Sequence, residues 1–140
     1  MKKAIKILHT SDTHLGDPYA HSASEESLKN VLEAVESTNS NFLLIVGDVF
    51  DNERVSNDSV IFFLNQISQT AVPVIILPGN HDLMHSNSIY KRPVFQNSPK
   101  NLYIFKNPTG EEIQFKNLGI SFWGKAMDEH SPKFKPLTNI

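Results

Sequence analysis

The sequence contains no cysteine. That excludes a disulfide framework and any metal site built on thiolates. No apolar run approaches the roughly 18 residues of a membrane-spanning helix, so no membrane association is expected. The basic start, Met1-Lys2-Lys3, leads into a short apolar stretch that meets His9, Ser11 and Asp12. No signal peptide is read there, and a cytoplasmic protein is expected. Positive charge is also scarce: 13 Lys plus Arg face 15 Asp plus Glu, a net charge of -2 over 140 residues. A uniformly basic nucleic-acid binder is excluded; contact with a polyanion has to come from a local patch. Internal repeats and low-complexity segments are lacking as well. With 39% apolar and 20% charged residues, the composition is that of one folded domain.

The charge that is present is unevenly spread. Met1 to His85 holds 5 basic and 11 acidic residues, whereas Ser86 to Ile140 holds 8 basic and 4 acidic. An acidic front half is either a solvated face or a place where carboxylates gather around cations.

The first 80 residues alternate between two hydrophobic periods. Ala4–Thr10, Phe42–Val46 and Val72–Leu77 read as strands; the second is a continuous apolar run, as in a sheet buried on both faces. Ser22–Ser37 reads as a helix, with Ser22 and Glu25 as a capping box and Leu28, Val31, Leu32 and Val35 on one face. Ser56–Thr70 reads as a second helix, with Val60, Phe63, Leu64 and Ile67 along its stripe and Ile61 and Phe62 widening it. Strand and helix in alternation predict right-handed βαβ units and a parallel sheet. After about residue 100, Leu102–Phe105, Glu112–Phe115 and Gly119–Trp123 read as short strands. Pro108-Thr109-Gly110 reads as a hairpin turn and Lys116-Asn117-Leu118 as a further connection.

Each of the three parallel strands ends in a polar cluster: Asp12-Thr13-His14, Gly47-Asp48-Val49-Phe50-Asp51 and Gly79-Asn80-His81-Asp82. Ligands of open α/β sheets bind outside the carboxyl ends of the strands, so the clusters converge on one rim. Asp, His and Asn are oxygen and nitrogen donors that suit Mn2+, Mg2+, Fe or Zn2+. His9, within the first strand, is expected to be packed or hydrogen-bonded. His21, His85 and His130 are read as surface residues, with His85 close enough in sequence to touch a substrate.

In this order the three clusters resemble the calcineurin-like metallophosphoesterases. The spelling His9-Thr10-Ser11-Asp12-Thr13-His14-Leu15-Gly16, Gly47-Asp48-Val49-Phe50-Asp51 and Leu77-Pro78-Gly79-Asn80-His81-Asp82 is similar to the SbcD-type branch of DNA double-strand-break repair nucleases. The resemblance implies an α/β fold, a four-layer αββα sandwich of which this chain supplies the N-terminal half. It implies metal-dependent phosphodiester hydrolysis on DNA, exonucleolytic or endonucleolytic, in which activated hydroxide attacks phosphorus. Two divalent ions are implied, about 3.5–4 Å apart, with Mn2+ the first choice. Asp12 and His14 would hold the first ion, Asp48 would bridge, and Asn80 would hold the second. His81 would stand at the leaving oxygen as a catalytic residue and Asp82 would orient it. Asp51 would be a supporting or substrate-side group. Lys91 and Arg92, just after the third cluster, are expected to contact phosphate.

The resemblance also implies parts that these residues do not supply. The family adds a later lone His and a final Gly-His-x-His; after His85 the only histidine is His130. The second metal site is therefore expected to be incomplete. Residues 1–140 are read as the N-terminal part of the nuclease domain, without the capping region and the segment that would bind an SbcC-like ATPase partner. This fragment is expected to be weak or inactive alone. A homodimer through the helix around 56–70 is a further implication. Two alternatives remain: a metallophosphoesterase acting on nucleotides or small phosphoesters, and a truncated, non-catalytic module.

Overall fold

The computed structural model describes residues 4–138 and 140; the basic start at residues 1–3 lies outside them. Strands β1 (Ile7–Thr10), β2 (Phe42–Val46), β3 (Val74–Leu77) and β4 (Leu102–Ile104) form one parallel sheet in the order β1-β2-β3-β4. Helix α1 (His21–Ser37) connects β1 to β2 and α2 (Asn57–Gln69) connects β2 to β3. Each crossover steps the sheet in the same direction. Right-handed connections then place both helices on one face, and leave the other face for a second layer. That layer is the antiparallel pair β5 (Glu111–Phe115) and β6 (Ile120–Gly124).

The strand residues alternate accordingly. Leu43, Ile45, Val74 and Ile76 face the helices and join Leu28, Val35, Val60, Phe63 and Ile67 in the main core. Phe42 and Ile75 face the β5–β6 pair, where the Phe42 ring lies 4.8 Å from Phe115 and 5.1 Å from Phe122, edge to face. This is the α/β arrangement read from the sequence: a helix layer, a parallel sheet and the beginning of a second sheet.

Three local expectations are corrected. Ser22 and Glu25 do not form a capping box. The helix starts at His21 after Ala20, which makes no side-chain cap, and Glu25 instead pairs with His21 across one turn at 3.2 Å. The turn at Pro108–Gly110 does not close a hairpin. Tyr103 faces the second sheet while Leu102 and Ile104 face the main core, so β4 is apolar on both sides and docks beside β3. The hairpin instead runs through Lys116–Leu118, with Gly119 left-handed at φ 64°. His9 is exposed rather than packed, because the cluster under the β5–β6 pair takes residues of β2 to β4 and Ile5, ahead of β1, but among the described residues none of β1 itself; Ile7 is 43% exposed for the same reason. On α2, Phe62 is half-buried beneath Lys29, and Ile61, 44% exposed, is the residue that faces outward.

Candidate metal centre

The loops after β1 and β2 do not diverge when the strands end. The amide of Asp12 donates to Gly47 O (3.0 Å), His14 to Asp48 O (3.0 Å) and Leu15 to Val49 O (2.8 Å); Asp51 returns a bond to Leu15 O (3.0 Å). The parallel ladder is thus carried one turn beyond the sheet. Within it Asp12, His14 and Asp48 take left-handed backbone conformations, with φ of 57°, 43° and 54°. Asp, Asn and His tolerate this region better than most residues, at about 1 kcal/mol or more each, and it persists where surrounding bonds over-determine it.

The result is a compact donor set. One ligand atom each from Asp12, His14 and Asp48 lies within 4.8 Å of the others, with His14 Nε2 3.9 Å from Asp12 Oδ1. Asp48 is only 8% exposed, and its Oδ1 accepts the His81 amide at 3.0 Å. Among the described residues no Lys or Arg forms an ion pair with Asp12 or Asp48. Two carboxylates held together, one of them buried, with an imidazole and no cation, fit a divalent metal ion.

The third loop is pressed onto this set. A Cβ on Gly79 would lie 2.2 Å from Asp48 Oδ1 and 2.6 Å from Asp48 N, so only glycine allows the approach. Asn80 and His81 follow, both on the rim. They line a cavity of about 510 Å3 with Asn52, Glu53, Arg54 and Leu83. Asn80 is therefore brought to the same rim as the other candidate ligands.

His14, Asp51 and His81 form a second cluster, with the two imidazole rings edge-on at 4.9 Å. Asp51 Oδ1 lies 3.3 Å from His14 Nδ1, and its Oδ2 accepts from Asn52 Nδ2 at 2.9 Å. That contact fixes His14 so that Nε2 faces Asp12, the arrangement by which a carboxylate orients a metal-binding histidine.

The expected contact between Asp82 and the His81 ring is absent among the described residues. The ring instead engages the Asp51 carbonyl through Nδ1 at 2.5 Å. This bond raises the His81 pKa above its ordinary value; desolvation opposes it, and the charges of Asp48, Asp51 and Asp82 add to the rise. Asp82 is 0% exposed and acts on the backbone. It accepts from the amides of Gly79 (2.7 Å), Val49 (2.8 Å), Asp48 (3.3 Å) and Phe50 (3.4 Å), and from the Tyr90 hydroxyl (2.5 Å). Burial raises its pKa; the bonds from Tyr90, Gly79, Val49 and Phe50 oppose that rise. Asp82 is the tie between the second and third loops.

The expectation for Arg92 is corrected too. Its guanidinium donates to Val55 O (2.7 Å), Glu53 O (2.6 Å) and Asn57 Oδ1 (3.2 Å), holding the loop before α2, so it is not free for phosphate. Lys91 remains exposed. His85 forms an ion-pair contact with Glu53. Tyr90 carries no mark in the sequence: a buried aromatic near a motif gives no sign that its hydroxyl serves a carboxylate.

Residues 5–131 match the calcineurin-like phosphoesterase family. Over 84 residues the chain is 38% identical to a probable cyclic nucleotide phosphodiesterase of Fibrobacter succinogenes, covering 58% of this chain and 32% of that protein. It is 33% identical over 84 residues to the DNA double-strand break repair protein Mre11 of Nanoarchaeum equitans, covering 54% and 23%. To the SbcD component of nuclease SbcCD of Escherichia coli strain K12 it is 34% identical over 86 residues, covering 56% and 21%. The matched segments thus span about a third or less of each of these relatives. The metal-fitting rim at the ends of three parallel strands and the match over residues 5–131 lead to one statement of identity: the chain belongs to the calcineurin-like phosphoesterase family.

Proposed function

We propose that this chain carries the metal-holding part of a phosphodiesterase that cleaves DNA, in the manner of a repair nuclease. The observation that carries the reading is the cluster of Asp12, His14 and Asp48, strained and, among the described residues, unpaired with any Lys or Arg, beside a cavity lined by Asn80 and His81. Relatives named as a nuclease component and as a double-strand break repair protein favour DNA as the substrate. Asp12 and His14 would hold the first divalent ion, Asp48 would be shared and Asn80 would serve the second, with Mn2+ the first choice. Bound divalent ions neutralise phosphate charge and acidify water.

The chain's own groups do the rest. Asp51 keeps His14 in the tautomer that leaves Nε2 as the ligand. His81, with Nδ1 donating to the Asp51 carbonyl, lines the cavity and is placed to serve the leaving oxygen as an acid. Asp82 keeps the amides of the second and third loops in place so that Asp48 and His81 hold their spacing. Few ligands would be available to the second ion, so its site in this chain would be weak. In the whole protein an SbcC-like ATPase is the partner, and Ile61 on α2 is where a homodimer contact would start.

The test is Mn2+-dependent cleavage of linear DNA beside hydrolysis of a chromogenic phosphodiester and a phosphomonoester, with His81→Ala as control. DNA and diester turnover that is lost in His81→Ala supports the reading. Turnover of small esters without cleavage of DNA favours the second reading, a phosphoesterase on nucleotides, which the relative named as a cyclic nucleotide phosphodiesterase supports.

A further inference from the structure

Two cavities meet at one arginine. The first, about 510 Å3, holds Asn80 and His81 on one side and Asn52, Glu53 and Arg54 on the other. The second, about 420 Å3, runs from Asn52 and Arg54 to the loop of Gly16, Asp17, Pro18 and His21. Asn52 and Arg54 line both. The Arg54 side chain is exposed and, among the described residues, has no carboxylate partner. Two acids share these linings: Glu53, one oxygen of which contacts His85, and Asp17, which accepts the amide of Tyr19 at 2.8 Å. The backbone around Arg54 is fixed from both sides. Its amide donates to Asn52 Oδ1 at 2.8 Å, and Arg92 holds the carbonyls of Glu53 and Val55. A free guanidinium on a rigid loop beside a metal-fitting rim is suited to an anionic oxygen.

The loop that borders the far cavity adds a second feature. Pro18 and His21 line the cavity, and between them Tyr19 stands 99% exposed, beside the lining rather than in it. Such a ring costs little to order and presents a face on which an unpaired base can stack.

We propose that these cavities form one track for a single nucleic-acid strand, in which Arg54 holds the phosphate next to the one at the metal centre and Tyr19 stacks on a base beyond it. The proposal rests on the reading of the site as a phosphodiesterase and names its substrate as a strand with bases rather than a bare phosphoester. Arg54 and Tyr19 are specificity residues: they touch the strand and not the bond that breaks.

The test is fluorescence anisotropy of a labelled single-stranded deoxy-oligonucleotide, with an abasic oligonucleotide of the same length beside it. Arg54→Gln is expected to weaken binding of both about tenfold and to reduce the dependence of log K on log salt by about 0.7. Tyr19→Ala is expected to weaken the base-bearing strand about tenfold, leave the abasic one unchanged, and be rescued by Tyr19→Phe. Both side chains are exposed, and circular dichroism checks that the variants fold. No binding by the parent chain overturns the proposal, as do equal affinities in parent and variants or an equal loss of both ligands in Tyr19→Ala. Phosphodiester hydrolysis is scored separately. Hydrolysis with binding indifferent to both residues removes the track and keeps the phosphodiesterase; the expected binding losses support the track whether or not this chain alone hydrolyses the ester.

Discussion

Asp48 and Asp82 are carboxylates on the same rim, and their partners give them different work. Asp82 faces five donors, four amides and a hydroxyl, in a fully buried place. Removing it strands those donors, so Asp82→Ala is expected to cost about 3–5 kcal/mol in urea unfolding. Tyr90→Phe, which removes one donor, should cost about 1–3 kcal/mol. Asp48 accepts one amide and, among the described residues, pairs with no Lys or Arg, so Asp48→Ala should change stability by about 1 kcal/mol or less while abolishing the rise in melting temperature that Mn2+ is expected to give the parent. Gly79→Ala is expected to lose the same metal response, because its Cβ would displace the Asp48 carboxylate. Wild-type Mn2+ stabilisation in Asp48→Ala would refute its place in the site. The candidate ligands are legible in the sequence because their side chains are the chemistry. The work of Asp82 and Arg92 is not, because their partners are mostly amides and carbonyls, which every residue carries. An Asp beside a His reads as its orienting partner until the fold shows which groups it reaches.

The elements divide along the same line. Helix α2 is legible almost to the residue because its start is marked by a side chain: Ser56 accepts the Ser59 amide at 3.2 Å. Helix α1 offers Ser22 as an equal mark, yet the chain enters the helix one residue earlier and leaves that hydroxyl inside the first turn. Thermal melts should separate them: Ser56→Ala is expected to cost about 1 kcal/mol and Ser22→Ala about 0.5 kcal/mol or less. The strand at Leu102–Ile104 is legible as a strand but not as a member of the parallel sheet. Three residues carry too little periodicity to name the sheet they join, and the adjacent Pro-Thr-Gly turn points the other way.

At the scale of the molecule, the helix layer follows from the steady progression of β1 to β4, which the alternating pattern already implies. The second layer is narrower than the sheet it covers. Phe42 is central to it and fully buried, whereas Ile7 on the neighbouring strand is partly in water. Phe42→Ala is therefore expected to cost about 3–5 kcal/mol, and Ile7→Ala well under half of that.

The lacing of the loops at the strand ends has a consequence for how the molecule breathes. The amides of Asp12, His14, Leu15 and Asp51 are tied across the loops, and those of Val49 and Gly79 to one buried carboxylate. In deuterium these protons should exchange as slowly as those of the strands, since no small opening frees one without its neighbours. The rim would then register as part of the slowest-opening unit, although it carries almost no regular secondary structure. A ligand arriving there meets a surface already set, and its binding is read as a change in how often the whole domain opens rather than in how one loop moves.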